Sequence, residues 1–157
     1  MAKVYIETTI PSYIVAKLSR DIVVAAGQQL TKEWWETARF DYELYISEAV
    51  IAECSQGDKE QSKRRLEIIR GIKVLSLSDK VVELADVYYK LLSIPEKSRV
   101  DSLHLAIVVI HEIDYLLTWN CKHMAHGEIK TKIHYHNKQN NLFEPVIITP
   151  YELMRRN

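Results

Sequence analysis

The chain has 157 residues, 47% of them hydrophobic, with only four glycines and four prolines, which suits one compact domain spanning 1–157 and excludes a disordered chain. Lysine and arginine together number 21, as do aspartate and glutamate, so the formal net charge is zero. That balance argues against a protein held on nucleic acid mainly by a bulk positive field, while leaving local recognition open.

In chain order, Val4 to Ile6 read as a first strand, and Glu7 closes it before a polar turn. Pro11 and Ser12 suit a helix start, and a helical hairpin is predicted to about Arg39. Tyr42 to Ser47 form a second predicted strand, leading directly into the helical EAVIAECSQG, and Asp58 to Arg70 a highly charged helix. Ile72 to Ser78 read as the third strand, with Ser78 as N-cap of the helix DKVVELADVYYKLL. After Pro95, the apolar spacing of Val100, Leu103, Ile107 and Ile110 predicts another helix. Tyr115 to Trp119 and Pro145 to Thr149 supply the last two strands. Short strands alternating with helices imply an α/β fold with a mainly parallel, doubly wound sheet covered on both faces.

The two cysteines, Cys54 and Cys121, are too few for a disulfide framework and lack metal-site spacing, as expected of reduced thiols in a cytoplasmic protein. No secretory leader is read at the start, and the longest apolar run, Ala106 to Ile110, is too short to span a membrane.

In an open parallel sheet, functional groups gather at the carboxyl ends of the strands, near the point where strand order reverses. Glu7 lies at the end of the first strand and Asn120 just past the fourth. Glu53 lies in the helix after the second strand, and Asp101 near the start of a helix that feeds the fourth. Each has a simpler reading alone. Glu7 could cap the next helix, Glu53 could be a solvated helix residue, and Asp101 could complement a helix dipole. Three acids and an amide directed at one cleft would be costly, because close carboxylates repel and raise one another's pKa values, a cost that a divalent cation removes. Hard cations with oxygen ligands, magnesium or manganese, fit such a set and can activate water for phosphoryl chemistry. No phosphate-cradling glycine loop is present, so the phosphate is expected to belong to a polymer backbone.

The first-strand acid followed by Thr-Thr, the SEAVIAE element, the VDSLHLAIV helix and the LLTWN strand end together resemble the PIN-domain family. The resemblance implies a three-layer α/β/α sandwich with a five-stranded sheet and metal-dependent ribonuclease activity that leaves 5′-phosphate and 3′-hydroxyl ends. Small members of this kind are most often toxins of the VapC type, each paired with an antitoxin and commonly homodimeric. Carried over, Glu7 stands where the family usually has its first aspartate, Glu53 at its glutamate and Asp101 at the aspartate before HLA. Asn120 stands where a fourth acid is usual, which leaves three formal negatives and an oxygen donor. The implied metal ligands are Glu7, Asp101 and Glu53, with Asn120 supporting metal or water, and Thr8 and Thr118 supplying supporting hydroxyls. The alternative is a weakened PIN-like module that binds RNA or protein without cutting, and Asn120 is the feature that favours it.

Other residues carry weaker signals. His123 and His126 share helical spacing, but no zinc pattern completes a site, and His104, three residues after Asp101, is expected to be a buried structural histidine. The stretch Lys122 to Lys138 reads as a solvated segment or a backbone-contacting rim, and Lys63, Arg64 and Arg65 as a solvated face or a contact for an acidic partner. Of the adjacent Trp34 and Trp35, one is expected in the core with the other flanking it. In small PIN toxins this hairpin helps to hold the antitoxin.

Overall fold

A computed structural model of the chain describes residues 1–156. Its five strands are β1 (Lys3–Ile6), β2 (Glu43–Ser47), β3 (Lys73–Leu75), β4 (Tyr115–Leu117) and β5 (Val146–Ile148). They form one sheet in the order β3-β2-β1-β4-β5, and every neighbouring pair is parallel. The helices are α1 (Thr9–Val15), α2 (Ile22–Glu36), α3 (Glu48–Cys54), α4 (Lys59–Ile69), α5 (Asp79–Leu91), α6 (Val100–Ile110) and α7 (Gly127–Gln139).

Strand order runs outward from β1 to β3, then returns across β1 to β4 and β5. With right-handed crossovers, that reversal places α1 to α4 on one face and α5 to α7 on the other. Side chains agree with this arrangement: the Tyr88 hydroxyl of α5 donates to the Asn137 amide oxygen of α7 in a buried contact. The result is the doubly wound three-layer sandwich expected from the sequence. Its switch point lies between β1 and β4, where their carboxyl ends diverge toward different helices.

Central strands are apolar without alternation because both of their faces are covered. Val4, Tyr5, Ile6, Leu116 and Leu117 are all buried, and α6 adds Leu105, Ala106, Ile107 and Val108 to the same core. Helix starts follow from local donors and acceptors. Asp21 caps α2 by accepting from the Val23 and Val24 amides at 2.9 and 3.1 Å, Asp58 caps α4, and Ser78 caps α5 as expected. The third strand is shorter than predicted. Among the described residues it pairs with β2 alone, and β2 ends at Ser47 opposite Leu75, which leaves the segment beyond Leu75 without a described strand beside it.

Trp34 is fully buried while Trp35 flanks the core, as the helical spacing implies. The Trp34 indole stacks near Tyr42 and donates through Nε1 to the Leu153 carbonyl at 3.1 Å, tying α2 to the C-terminal turn. Arg65 is also structural rather than part of a free basic cluster, since it donates to the Cys54 and Gln56 carbonyls at the α3–α4 junction. Trp34→Phe removes the donor and leaves the Leu153 carbonyl without it. Chemical denaturation is expected to show a loss of about 1–3 kcal/mol.

Candidate metal centre

Glu7 is the first residue past β1, at the switch point, and is only 3% exposed. Three donors hold its carboxylate. Thr9 Oγ1 and Thr118 Oγ1 donate to Oε1 at 2.7 and 2.6 Å, and the Thr9 amide donates to Oε2 at 2.9 Å. Thr9 comes from the start of α1 and Thr118 from the end of β4, so the two elements that diverge at the switch point both grip this one side chain. The Thr9 amide contact is also what a helix-capping acid would make. Burial nevertheless pushes the Glu7 carboxyl above its usual range, against the pull of His104 and of these hydrogen bonds.

Glu53 is the penultimate residue of α3 and retains partial exposure. Thr8 Oγ1 donates to its Oε1 at 2.7 Å, and His104 Nε2 meets the same oxygen at 2.5 Å. Among the described residues, no group donates to Oε2. Burial alone would raise the Glu53 carboxyl, but the hydrogen bond and charge of His104, with Thr8, bring it below the ordinary value. His104 is fully buried on α6. Burial opposes its protonation, but Glu53 above all, then Glu7 and Asp101, raise its pKa on balance. One ligand atom from each of Glu7, Glu53 and His104 lies within 4.8 Å of the others.

Asp101, at the start of α6, is buried, yet its Oδ2 meets His123 Nδ1 at 2.8 Å. It acts on the cluster through its charge on His104, while the ring of His123 occupies one of its oxygens. Asn120 is engaged differently again. Its Oδ1 accepts from the Lys122 and His123 amides at 3.3 and 2.9 Å, capping the turn after β4, and its own amide donates to Thr118 Oγ1 at 2.9 Å. The structure therefore brings Glu7 and Glu53 together with their hydroxyl donors Thr118 and Thr8. Asp101 and Asn120 sit at the same edge, Asn120 with its side-chain oxygen and Asp101 with one carboxylate oxygen engaged by the β4–α7 connection.

Three participants carry little signal in the sequence. Thr9 is distinguished from Thr8 only by the turn that aims both its amide and its hydroxyl at Glu7. His104 faces Glu53, as its spacing from Asp101 allows, but the spacing does not show that both of its nitrogens are bonded. His123 draws attention only through its spacing from His126, which does not point to Asp101. The stretch beyond it is largely solvated, with His126 accepting from the Glu128 amide at the start of α7 and His134 pairing with Glu144 at the surface.

The donor set suits a hard divalent cation. Glu53 Oε2 is free of hydrogen bonds among the described residues, and Glu7 Oε2 accepts only one, so each acid keeps a lone pair for a ligand. A buried carboxylate whose ionisation is disfavoured gains most from a nearby positive charge. His104 belongs to the geometric cluster, but both ring nitrogens already have partners, so it could bind an ion only by releasing Glu53 or Tyr5.

Without metal, the site should lower stability as the pH rises. A raised folded-state pKa means that the folded protein holds protons the unfolded chain has lost, so stability falls with pH through that window. For Glu7 the window opens at the ordinary 4.5, and for His104 at the ordinary 6.5. Glu53, shifted the other way, loses its contribution only as the pH drops below its ordinary range. In a chelator, the melting temperature is expected to fall from mildly acidic to mildly alkaline pH. His104→Gln should remove the part of the slope above pH 6.5, as thermal scans across pH can show.

No protein-family model matches the chain, and no curated protein matches it in sequence. Among solved structures, it is similar to a chain in the crystal structure of VapBC2 from Rickettsia felis bound to a DNA fragment from their promoter. The two share 16% identity with a TM-score of 0.57, over 94% of this chain and 98% of that one. At that identity the likeness concerns the fold, and the shared fold is the PIN-like three-layer sandwich that the sequence resemblance implies.

Proposed function

We propose that the chain is a metal-dependent ribonuclease that hydrolyses RNA phosphodiester bonds and acts as the toxin of a type II toxin–antitoxin pair. The observation that carries this reading is the pairing of Glu7 and Glu53 at the switch point, each with an oxygen left open by its neighbours. Magnesium or manganese held by these two acids, with Asp101 as a further or water-mediated ligand, would supply an activated water and charge stabilisation at the phosphate. The residues of the chain do the rest. Thr9 and Thr118 hold Glu7, Thr8 holds Glu53, and Asn120 keeps the β4–α7 turn in place beside Thr118.

The partners in this reading are an RNA substrate, an antitoxin and a second copy of the chain, in the cytoplasm. For the antitoxin, α1, α2 and α4 enclose a groove of about 610 Å³. Ile14, Val15 and Ile68 give it an apolar floor, and on its rim Lys17, Lys32, Lys63 and Arg64 outnumber Glu60 and Glu67, which suits an amphipathic segment with acidic residues. No helix among the described residues is long and apolar enough to cross a membrane.

A second reading is a weakened PIN-like module that binds RNA or protein without cutting it. It is favoured by Asn120, whose oxygen is spent on the turn, and by Asp101, one of whose two oxygens is engaged by His123. Cleavage assays on several structured RNAs separate the two. The nuclease reading expects manganese-dependent cuts ending in 5′-phosphate, reduced at least about 100-fold in Glu7→Gln, Glu53→Gln and Asp101→Asn. RNA that is bound but left whole in the presence of manganese would support the module.

A further inference from the structure

Behind the two carboxylates lies a buried chain of polar groups that ligand binding does not use. Tyr5, on β1 two residues before Glu7, is fully buried, and its hydroxyl meets His104 Nδ1 at 2.7 Å and Ser47 Oγ at 2.8 Å. Ser47 in turn is the N-cap of α3, accepting from the Ala49 amide at 3.2 Å, and α3 carries Glu53. The far end of the chain closes on Glu53 Oε1 through His104 Nε2 at 2.5 Å. The three elements that carry the acids, β1, α3 and α6, are thus joined by one hydrogen-bonded path with both ends on α3.

Proton positions on this path follow from the donors available. An ionised Glu53 can only accept, so His104 Nε2 bears hydrogen. If the ring is neutral, Nδ1 accepts from the Tyr5 hydroxyl, which then accepts from Ser47. If the ring is charged, Nδ1 donates to Tyr5 and Tyr5 donates to Ser47. In both states the bond to Glu53 Oε1 is kept, and each ring nitrogen of His104 has a partner. Thr8 Oγ1 donates to that same oxygen, so two donors from different elements fix the rotation of the carboxylate and leave Oε2 without a partner.

We propose that His104, held by Tyr5 and Ser47, is the positioning residue for Glu53: it fixes one carboxylate oxygen so that the other is presented to a divalent cation. His104 is then not a ligand itself. The inference rests on the proposed metal-dependent reading of the site and adds to it the groups that orient one of the acids. The aromatic partner matters because it is the only described group that meets Nδ1 and keeps the ring from turning.

The test is manganese binding by calorimetry at a temperature where circular dichroism shows every variant folded. Tyr5→Phe keeps the ring that fills the core and removes the hydroxyl; it is expected to weaken manganese binding about 10–100-fold. His104→Gln retains an N–H donor and should lose less affinity than His104→Leu. In a Glu53→Gln background, Tyr5→Phe should cause no further loss, because the orientation of Glu53 is what the path controls. A merely structural role would lower the melting temperature of Tyr5→Phe while leaving its manganese affinity at the wild-type level, and that result would overturn the proposal with the metal site intact. Additive losses in the double variant would also overturn it. A wild-type chain that binds no manganese would remove the metal site together with its positioning residue.

Discussion

The structure depends on burying a carboxylate at the point where the sheet reverses. Glu7 sits where β1 and β4 part, and an ionised acid there would be costly without donors. The chain supplies three from two directions, the Thr9 amide and hydroxyl and the Thr118 hydroxyl. Those bonds do more than satisfy Glu7. They fix the first turn of α1 and the exit of β4 relative to each other. The same exit is tightened by the Asn120 amide on Thr118 and the Trp119 amide on Thr9 Oγ1. An acid that could be read as a lone helix cap is instead the meeting place of two elements.

Glu53 is treated in the opposite way. Glu7 is sealed in and its ionisation opposed by burial, whereas Glu53 is partly open and its ionisation is favoured by His104. Both keep Oε1 doubly occupied. Two carboxylates so close, one reluctant to ionise and one held ionised, give a site with less internal repulsion than two equal charges would have. They also leave it short of positive charge on the solvent side, which a hard cation with retained waters could supply. Asn120 spends its side-chain oxygen on the β4–α7 connection and Asp101 spends one of two, so the open donors beside the Glu7–Glu53 pair narrow to the second Asp101 oxygen.

Much of this is legible from residue order. Alternation of short strands and helices implies the doubly wound sheet, and the rule that function gathers at strand ends selects Glu7, Glu53, Asp101 and Asn120. What the side chains do there is less accessible. The hydroxyl of Tyr5 reaches Ser47 because β1 and β2 pair in a register that sets Tyr5 beside Tyr45, and pairing register is a property of the sheet, not of either strand's sequence. Asp101 and His123 meet only because α6 feeds β4, and the turn after β4 folds back over the start of that helix. Asn120 offers a local signal, a short polar side chain followed by two amides in a turn, which competes with a ligand role for the same oxygen. Ile72 to Ser78 resembles a longer strand because apolar alternation does not show where a neighbouring strand stops.

With Glu7 and Glu53 as ligands of a divalent ion, His104 is a group that orients one of them. Diffraction from manganese-soaked crystals, using the anomalous signal of the ion, tests this most directly. The expected result is one peak about 2.1 Å from an oxygen of each acid, with His104 still bonded to Glu53. A peak on His104 in place of Glu53, or no peak between the two acids at saturating manganese, would contradict it.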